Sequence, residues 1–129
     1  MNLDEHITRA CEPVPGLLHG ALILLPEGLL IGGVGPGGAF DREPLARSAT
    51  RCLAHTLTAS RPDADAPWFV EHLFLGREEL VVILRGRRYP QLALALRCSS
   101  EPNLAFVRSL SRTALDCIEA TVDLAVWGL

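Results

Sequence analysis

The segment from Gly33 to Gly38 has the Gly-x-Gly-x-x-Gly spacing of a dinucleotide-binding loop. In such a loop, backbone N–H groups approach a pyrophosphate at the start of the following helix. Asp41 and Glu43 stand where that helix is predicted to begin, and their charges would repel the pyrophosphate. The preceding strand is also predicted to belong to a hairpin rather than to a parallel βαβ unit. We therefore expect a hairpin-to-helix connection here, and we keep a nucleotide-binding enzyme as the alternative.

The residues that usually hold metals or attack substrates are scattered along the chain. The four histidines fall in four different predicted elements and lack the spacing of zinc ligands. The four cysteines form no Cys-x-x-Cys pair and lie in apolar segments, where a free cysteine acts as a small buried hydrophobic residue. No Gly-x-Ser-x-Gly motif is present. We expect no catalytic residue, no metal and no cofactor. The histidines and cysteines in question are His6, His19, His55, His72, Cys11, Cys52, Cys98 and Cys117.

The charge composition excludes several classes of function. A net charge of -3 and a pI near 5.8 are unfavourable for a nucleic-acid binder, which needs clustered excess positive charge. All 12 basic residues are arginines, so Schiff-base chemistry and a Walker-type phosphate lysine are excluded. Three of them, Arg85, Arg87 and Arg88, lie in a predicted hairpin tip. They could dock an acidic partner, or they could simply keep a solvated tip soluble.

Apolar periodicity and turn residues predict an α/β protein of the α+β sandwich type. Two apolar runs, residues 21–25 and 29–31, flank Pro26-Glu27-Gly28 and predict a tight hairpin buried on both faces. Helical spacing predicts a capped helix over residues 2–11, a central helix over 44–60, and a last helix that Ser99 or Ser100 caps. Three more strands are predicted over residues 68–75, 80–84 and 91–97. The order is therefore α-β-β-α-β-β-β-α, with mainly antiparallel pairing.

A chain of 129 residues can bury one core, so we expect a single domain over residues 1–129. It ends in an apolar tail, residues 124–129. Trp127 in this tail either extends the last helix into the core or anchors a partner. No run approaches the length of a membrane helix, and acidic residues stand where a secretory signal would be basic. We expect a cytoplasmic protein.

Two motifs in this order resemble those of the roadblock/LC7 family. The first is Gly20-Ala21-Leu22-Ile23-Leu24-Leu25-Pro26-Glu27-Gly28-Leu29, similar to the family's first hairpin with its charged turn. The second is Asn103-Leu104-Ala105-Phe106-Val107-Arg108, similar to the opening of its last helix. The resemblance covers about residues 2–124 and implies a five-stranded antiparallel sheet between helices, a profilin-like architecture. Pro26 and the glycine-rich loop depart from the family pattern.

The resemblance also implies a homodimer. In roadblock proteins the third strand and the central helix form the dimer, joining two sheets edge to edge with antiparallel central helices. Carried over, the interface residues here are Arg47, Arg51, His55, Trp68, Val70 and His72. A sheet edge bearing large side chains either pairs or aggregates, which agrees with that assignment. The alternative is a monomer in which residues 68–75 form an internal core strand.

The family's known roles are noncatalytic: its dimers bind or regulate small Ras-like GTPases, dynein motors or signalling scaffolds. A composition rich in arginine and alanine but free of lysine suggests a bacterial genome and points away from dynein. We therefore expect an adaptor in a bacterial small-GTPase module for cell polarity or gliding motility, which binds a companion roadblock protein. The alternatives are a direct GTPase-activating contact, which would hold the GTPase's own switch loops in place, and a plain structural subunit of a larger assembly.

Overall fold

A computed structural model describes residues 2–25, 27–35, 42–59 and 71–122, except for the side chains of residues 54–59. The predicted order of elements is confirmed. The elements are α1 (Leu3–Cys11), β1 (Leu17–Leu24), β2 (Leu29–Val34), α2 (Arg42–Ala59), β3 (Glu71–Leu75), β4 (Glu79–Arg85), β5 (Leu92–Ser99) and α3 (Leu104–Thr121). No helix among the described residues is long and apolar enough to cross a membrane.

The five strands form one antiparallel sheet in the order β2-β1-β5-β4-β3. Because side chains alternate between the faces of a strand, the sheet has two distinct apolar faces. Leu92, Leu94 and Leu96 of β5 pack in the core cluster that contains residues of α1 and α3. Ala93 and Ala95 lie on the other face, in the cluster with residues of α2. The sheet is therefore a middle layer between two helices on one side and α2 on the other.

The β1–β2 turn has the geometry that its sequence predicts. Gly28 has a φ of 77°, in the region that favours glycine, and its N–H donates to the Leu24 carbonyl at 2.9 Å. Two expectations about the hairpin are wrong. Strand β2 is only partly buried, because it is the edge of the sheet. Gly33 and Val34, predicted to lie in the irregular loop, continue β2 and pair with Ala21 and Gly20.

The helix caps are partly as predicted. Asn2 caps α1, where its side-chain oxygen accepts a hydrogen bond from the Glu5 N–H at 2.9 Å. The last helix begins later than expected, because Asn103 caps α3 by accepting from the Ala105 N–H at 2.9 Å. Ser99 ends β5, and the Ser100 hydroxyl donates to the Arg77 carbonyl instead of capping a helix.

The buried face of α3 differs in part from the one that its apolar spacing predicts, which is Leu104, Val107, Leu110, Ala114, Cys117, Ile118, Thr121 and Val122. Val107, Ala114 and Ile118 are buried as expected. Leu104, Cys117 and Thr121 are exposed, because the helix begins at Leu104 and its register turns their side chains outward. Three residues that the apolar spacing did not predict to be buried lie in the buried face of α3, namely Ser111, Leu115 and Glu119.

Glu119 fastens the tip between β4 and β5 to α3. Its side chain is only 2% exposed. One carboxylate oxygen accepts from the Arg87 N–H at 3.1 Å, and the other accepts from the Tyr89 N–H at 2.6 Å. A Cβ at Gly86 would lie 2.6 Å from the second of these oxygens, so a larger residue there would force a displacement. The tip is therefore held by a buried carboxylate that hydrogen-bonds two backbone N–H groups.

The substitution Glu119→Ala is expected to lower the free energy of unfolding by about 1–3 kcal/mol, because the backbone N–H groups of Arg87 and Tyr89 lose a buried acceptor. Urea denaturation measures this change, and hydrogen exchange at the Arg87 and Tyr89 amides should become faster in the same variant. Glu101→Ala is the matched control, since Glu101 is exposed just before α3. Equal stability of the two variants would contradict the anchoring role.

Candidate interaction surfaces

A groove of about 580 Å³ lies between α2 and the sheet, on the α2 face of β3 and β4. We call it the edge groove. Ser48 and Cys52 line it from α2, while the sheet contributes Phe74, Val81 and Ile83. It exists because α2 packs mainly over β1, β2 and β5, so the described residues on this face cover β3 and part of β4 less fully. The groove is therefore an apolar continuation of the core that opens at the side of the sheet.

Strand β3 forms the outer wall of the edge groove. His72 pairs with Ile83, and Phe74 pairs with Val81, so both aromatic rings lie on the α2 face. The two rings stack with centroids 6.3 Å apart. Phe74 is 46% exposed, and Leu75 on the opposite face is 72% exposed. Among the described residues, β3 pairs with β4 alone. The strand thus presents an edge flanked by large apolar side chains.

A polar cluster lines part of the edge groove. Arg97 lies on β5, and its guanidinium Nη2 is 2.8 Å from His19 Nδ1. Its Nε is 3.5 Å from a carboxylate oxygen of Glu79, which also lines the groove. These contacts position the positive charge of Arg97 beside the apolar floor. This cluster was not identified from the sequence, because its three residues come from three strands.

The residues of the expected dimer interface are placed as follows. Arg47 and Arg51 are exposed on α2, and His72 is half-buried on β3. His55 belongs to α2, but its side chain lies outside the described part of the chain. Trp68 and Val70 also lie outside the described residues, as does Trp127. The structure thus brings α2 and β3 to the edge groove, and the dimer interface itself stays a prediction.

The hairpin tip differs from its prediction at Arg85. Arg85 is buried, and its Nε donates to the Pro90 carbonyl, while its own carbonyl accepts from Arg112. Burial lowers the pKa of the Arg85 guanidinium. Both alternatives placed Arg85 on an exposed tip, and that placement is wrong, because its side chain is buried and closes the tip. Arg87 and Arg88 are exposed, and the Arg88 guanidinium lies 5.2 Å from the centre of the Tyr89 ring.

The glycine segment does not have the setting of a dinucleotide loop. Its first residue, Gly33, lies in a strand that pairs antiparallel with β1, whereas the dinucleotide motif follows a strand of a parallel sheet. The Gly33 N–H already donates to the Asp4 carboxylate at 2.9 Å. A Cβ at Gly33 would lie 2.3 Å from the Arg42 side chain. Gly33 therefore serves close packing of α1 and α2 on β2; residues 36–41 lie outside the described chain.

The cysteines fall into two groups. Cys11 and Cys98 are buried in the core, where burial raises the pKa of their thiols to about 12 and about 11. Cys52 is half-buried in the edge groove, and Cys117 is exposed on α3. The expectation that all four are buried is therefore wrong for Cys117. Among the described residues, no group of three or more His, Cys, Asp or Glu side chains could hold a metal ion.

Comparisons with known proteins place this geometry in a known fold. No protein-family model matches the sequence, and no curated protein matches it. A roadblock/LC7 domain from Streptomyces avermitilis has a TM-score of 0.72 at 15% identity, over 93% of this chain and 94% of that one. MglB from Myxococcus xanthus gives 0.69 at 15% identity, over 92% of both chains. The gliding protein MglB from Thermus thermophilus gives 0.65 at 18% identity, over 93% and 90%. The chain therefore has the roadblock/LC7 fold.

Proposed function

We propose that this chain is a roadblock/LC7 family protein that acts as a noncatalytic homodimeric adaptor. It works in the cytoplasm, in a bacterial small-GTPase module of gliding motility or cell polarity, and binds a companion roadblock protein. The observation that carries the proposal is the edge groove, an apolar surface that continues the core beside strand β3. The structural likeness to a gliding protein, MglB, supports the choice of module.

The physical reason for dimerisation is the exposure of β3 in the described chain. An open strand edge offers unpaired backbone groups to any other strand, and natural sheets cover such edges or pair them. A second copy can pair β3 with its own β3 and place its α2 beside the first α2, which covers Phe74 in both copies. Arg47, Arg51 and His72 would then lie at the interface, together with His55, Trp68 and Val70.

As an adaptor, the protein would bind its partner through surfaces that lie outside this interface. Arg87 and Arg88 are exposed at the β4–β5 tip, on the part of the molecule anchored to α3. They, with Trp127, are the proposed contacts for a partner. Binding by such surfaces requires no reacting group, so the proposed role is regulation by contact.

Light scattering at micromolar concentration is expected to give twice the 14.0 kDa chain mass. Phe74→Glu should give a monomer, because it places a charge in the edge groove at the interface. Phe106→Glu is the matched control: Phe106 is 64% exposed on α3, away from the groove, and this variant should remain dimeric. A monomeric wild-type protein, or equal loss of dimer in both variants, would contradict the homodimer.

A pull-down distinguishes binding to a companion roadblock protein from direct binding to the GTPase. The immobilised protein is offered the companion roadblock protein and the GTP-loaded GTPase of the same genome, each alone. We expect the companion to be retained and the GTPase to pass through unless the companion is present. Retention of the GTPase alone would replace the proposal with a direct contact. Heat released on titration with NAD or GTP would favour the nucleotide-binding enzyme instead.

A further inference from the structure

The two edge strands of the sheet differ in their chemistry. Among the described residues, β3 pairs with β4 alone and β2 pairs with β1 alone. Strand β3 pairs with β4 in a continuous register and carries the large exposed side chains of Phe74 and Leu75. Strand β2 lies beside α1 and contains two consecutive glycines, Gly32 and Gly33. The β2 edge is therefore built differently from the edge at which the dimer is proposed.

The backbone N–H of Gly33 points away from β1. Gly33 is opposite Ala21 in the antiparallel ladder, but its N–H donates to Asp4 Oδ1 at 2.9 Å. In an antiparallel pair, residues whose N–H groups face the partner strand alternate with residues whose N–H groups face away from it. Gly33 is of the second kind, so its N–H is a group that an added strand would use. The Asp4 carboxylate already occupies this donor.

The preceding glycine allows α1 to come close enough for this contact. A Cβ at Gly32 would lie 2.6 Å from Ile7 Cδ1 and 3.1 Å from Asp4 Oδ1. A larger residue here would push α1 and its carboxylate away from the strand. Asp4 lies in the first turn of α1, which Asn2 caps, and its carbonyl accepts from the Thr8 hydroxyl at 2.7 Å. The helix therefore fixes the carboxylate at the edge of β2.

A β-bulge also interrupts the β2 edge. The register between the two strands shifts between Leu22 and Ile23 of β1, and Ile31 of β2 is the extra residue. An extra residue bends its strand and disrupts the regular spacing of the outward backbone groups. Bulges, charged side chains and covering helices are the features by which natural sheets prevent an edge from pairing with another chain. All three are present at β2.

We propose that Asp4 closes the β2 edge and so restricts strand pairing between copies of this chain to β3. A strand that added to β2 would have to displace the carboxylate from the Gly33 N–H and leave its charge beside the new interface. With two open edges, copies could pair alternately through β3 and through β2, which allows growth beyond the dimer. With one open edge, assembly stops at the dimer. The inference rests on the proposed function only for the use of β3, and the closure of β2 does not depend on it.

Light scattering on Asp4→Ala at about 100 μM tests the closure, because this variant removes the acceptor and the charge together. Its weight-average mass should be at least about twice that of the wild type. Glu5→Ala is the matched control: Glu5 is an exposed acidic residue in the same first turn of α1, and its replacement should leave the mass unchanged. Wild-type mass in Asp4→Ala, or an equal increase in both variants, would overturn the proposal.

A double variant separates pairing through β2 from dimerisation through β3. Phe74→Glu disrupts the proposed β3 interface, so adding Asp4→Ala should convert the monomer into a species of twice the 14.0 kDa chain mass. If the wild-type protein is monomeric, the homodimer fails alone, and Asp4→Ala by itself should then give that species. A monomeric double variant would overturn the closure of β2 and leave the homodimer unaffected.

If Asp4→Ala fails to fold, hydrogen exchange of the Gly33 amide in the wild-type protein decides. Because the acceptor of this amide belongs to the same chain, exchange should be slow and equal at about 1 μM and about 100 μM. Protection that increases with concentration would mean that another copy pairs with β2, and it would overturn the proposal. Fast exchange at both concentrations would also overturn it, since the carboxylate would then not hold the amide.

Discussion

The alternation of leucine and alanine along β5 is the constraint on which the other layers depend. Leu92, Leu94 and Leu96 fill the space beneath α1 and α3, whereas Ala93 and Ala95 allow α2 to lie close to the sheet. Since β5 is the central strand, its pattern decides which face receives two helices and which receives one. A shift of one residue in its register would exchange the large and small side chains and leave both layers badly packed.

The unequal layers explain where the interaction surfaces lie. A single helix cannot cover five strands, so α2 covers one side of its face and the edge groove remains beside β3 and β4. On the other face α3 reaches β4 and, through Glu119, holds the hairpin tip. The molecule therefore has an apolar groove on one face and a hairpin tip anchored to α3 on the other.

The fold could be predicted from the sequence because its signals are local. The turn at Gly28 and each apolar strand are specified by a stretch of only a few consecutive residues. The functional surfaces could be predicted only in part, because they depend on distant pairs. The sequence identified the exposed residues Arg87 and Arg88, whereas Arg85 is buried. Nothing in the local sequence shows that Glu119 accepts hydrogen bonds from residues 30 and 32 positions away. The start of α3 was predicted too early, because Ser100 donates a hydrogen bond to the Arg77 carbonyl and does not cap the helix.

The most direct test of the central claim, that a second copy covers the β3 edge, is hydrogen exchange of the β3 amides as a function of protein concentration. At about 100 μM the outward-facing amides of residues 71–75 should exchange slowly, and dilution to about 1 μM or below should accelerate them while the β5 amides stay protected. The same acceleration is expected at high concentration in Phe74→Glu. Exchange at β3 that is fast and independent of concentration would contradict the account.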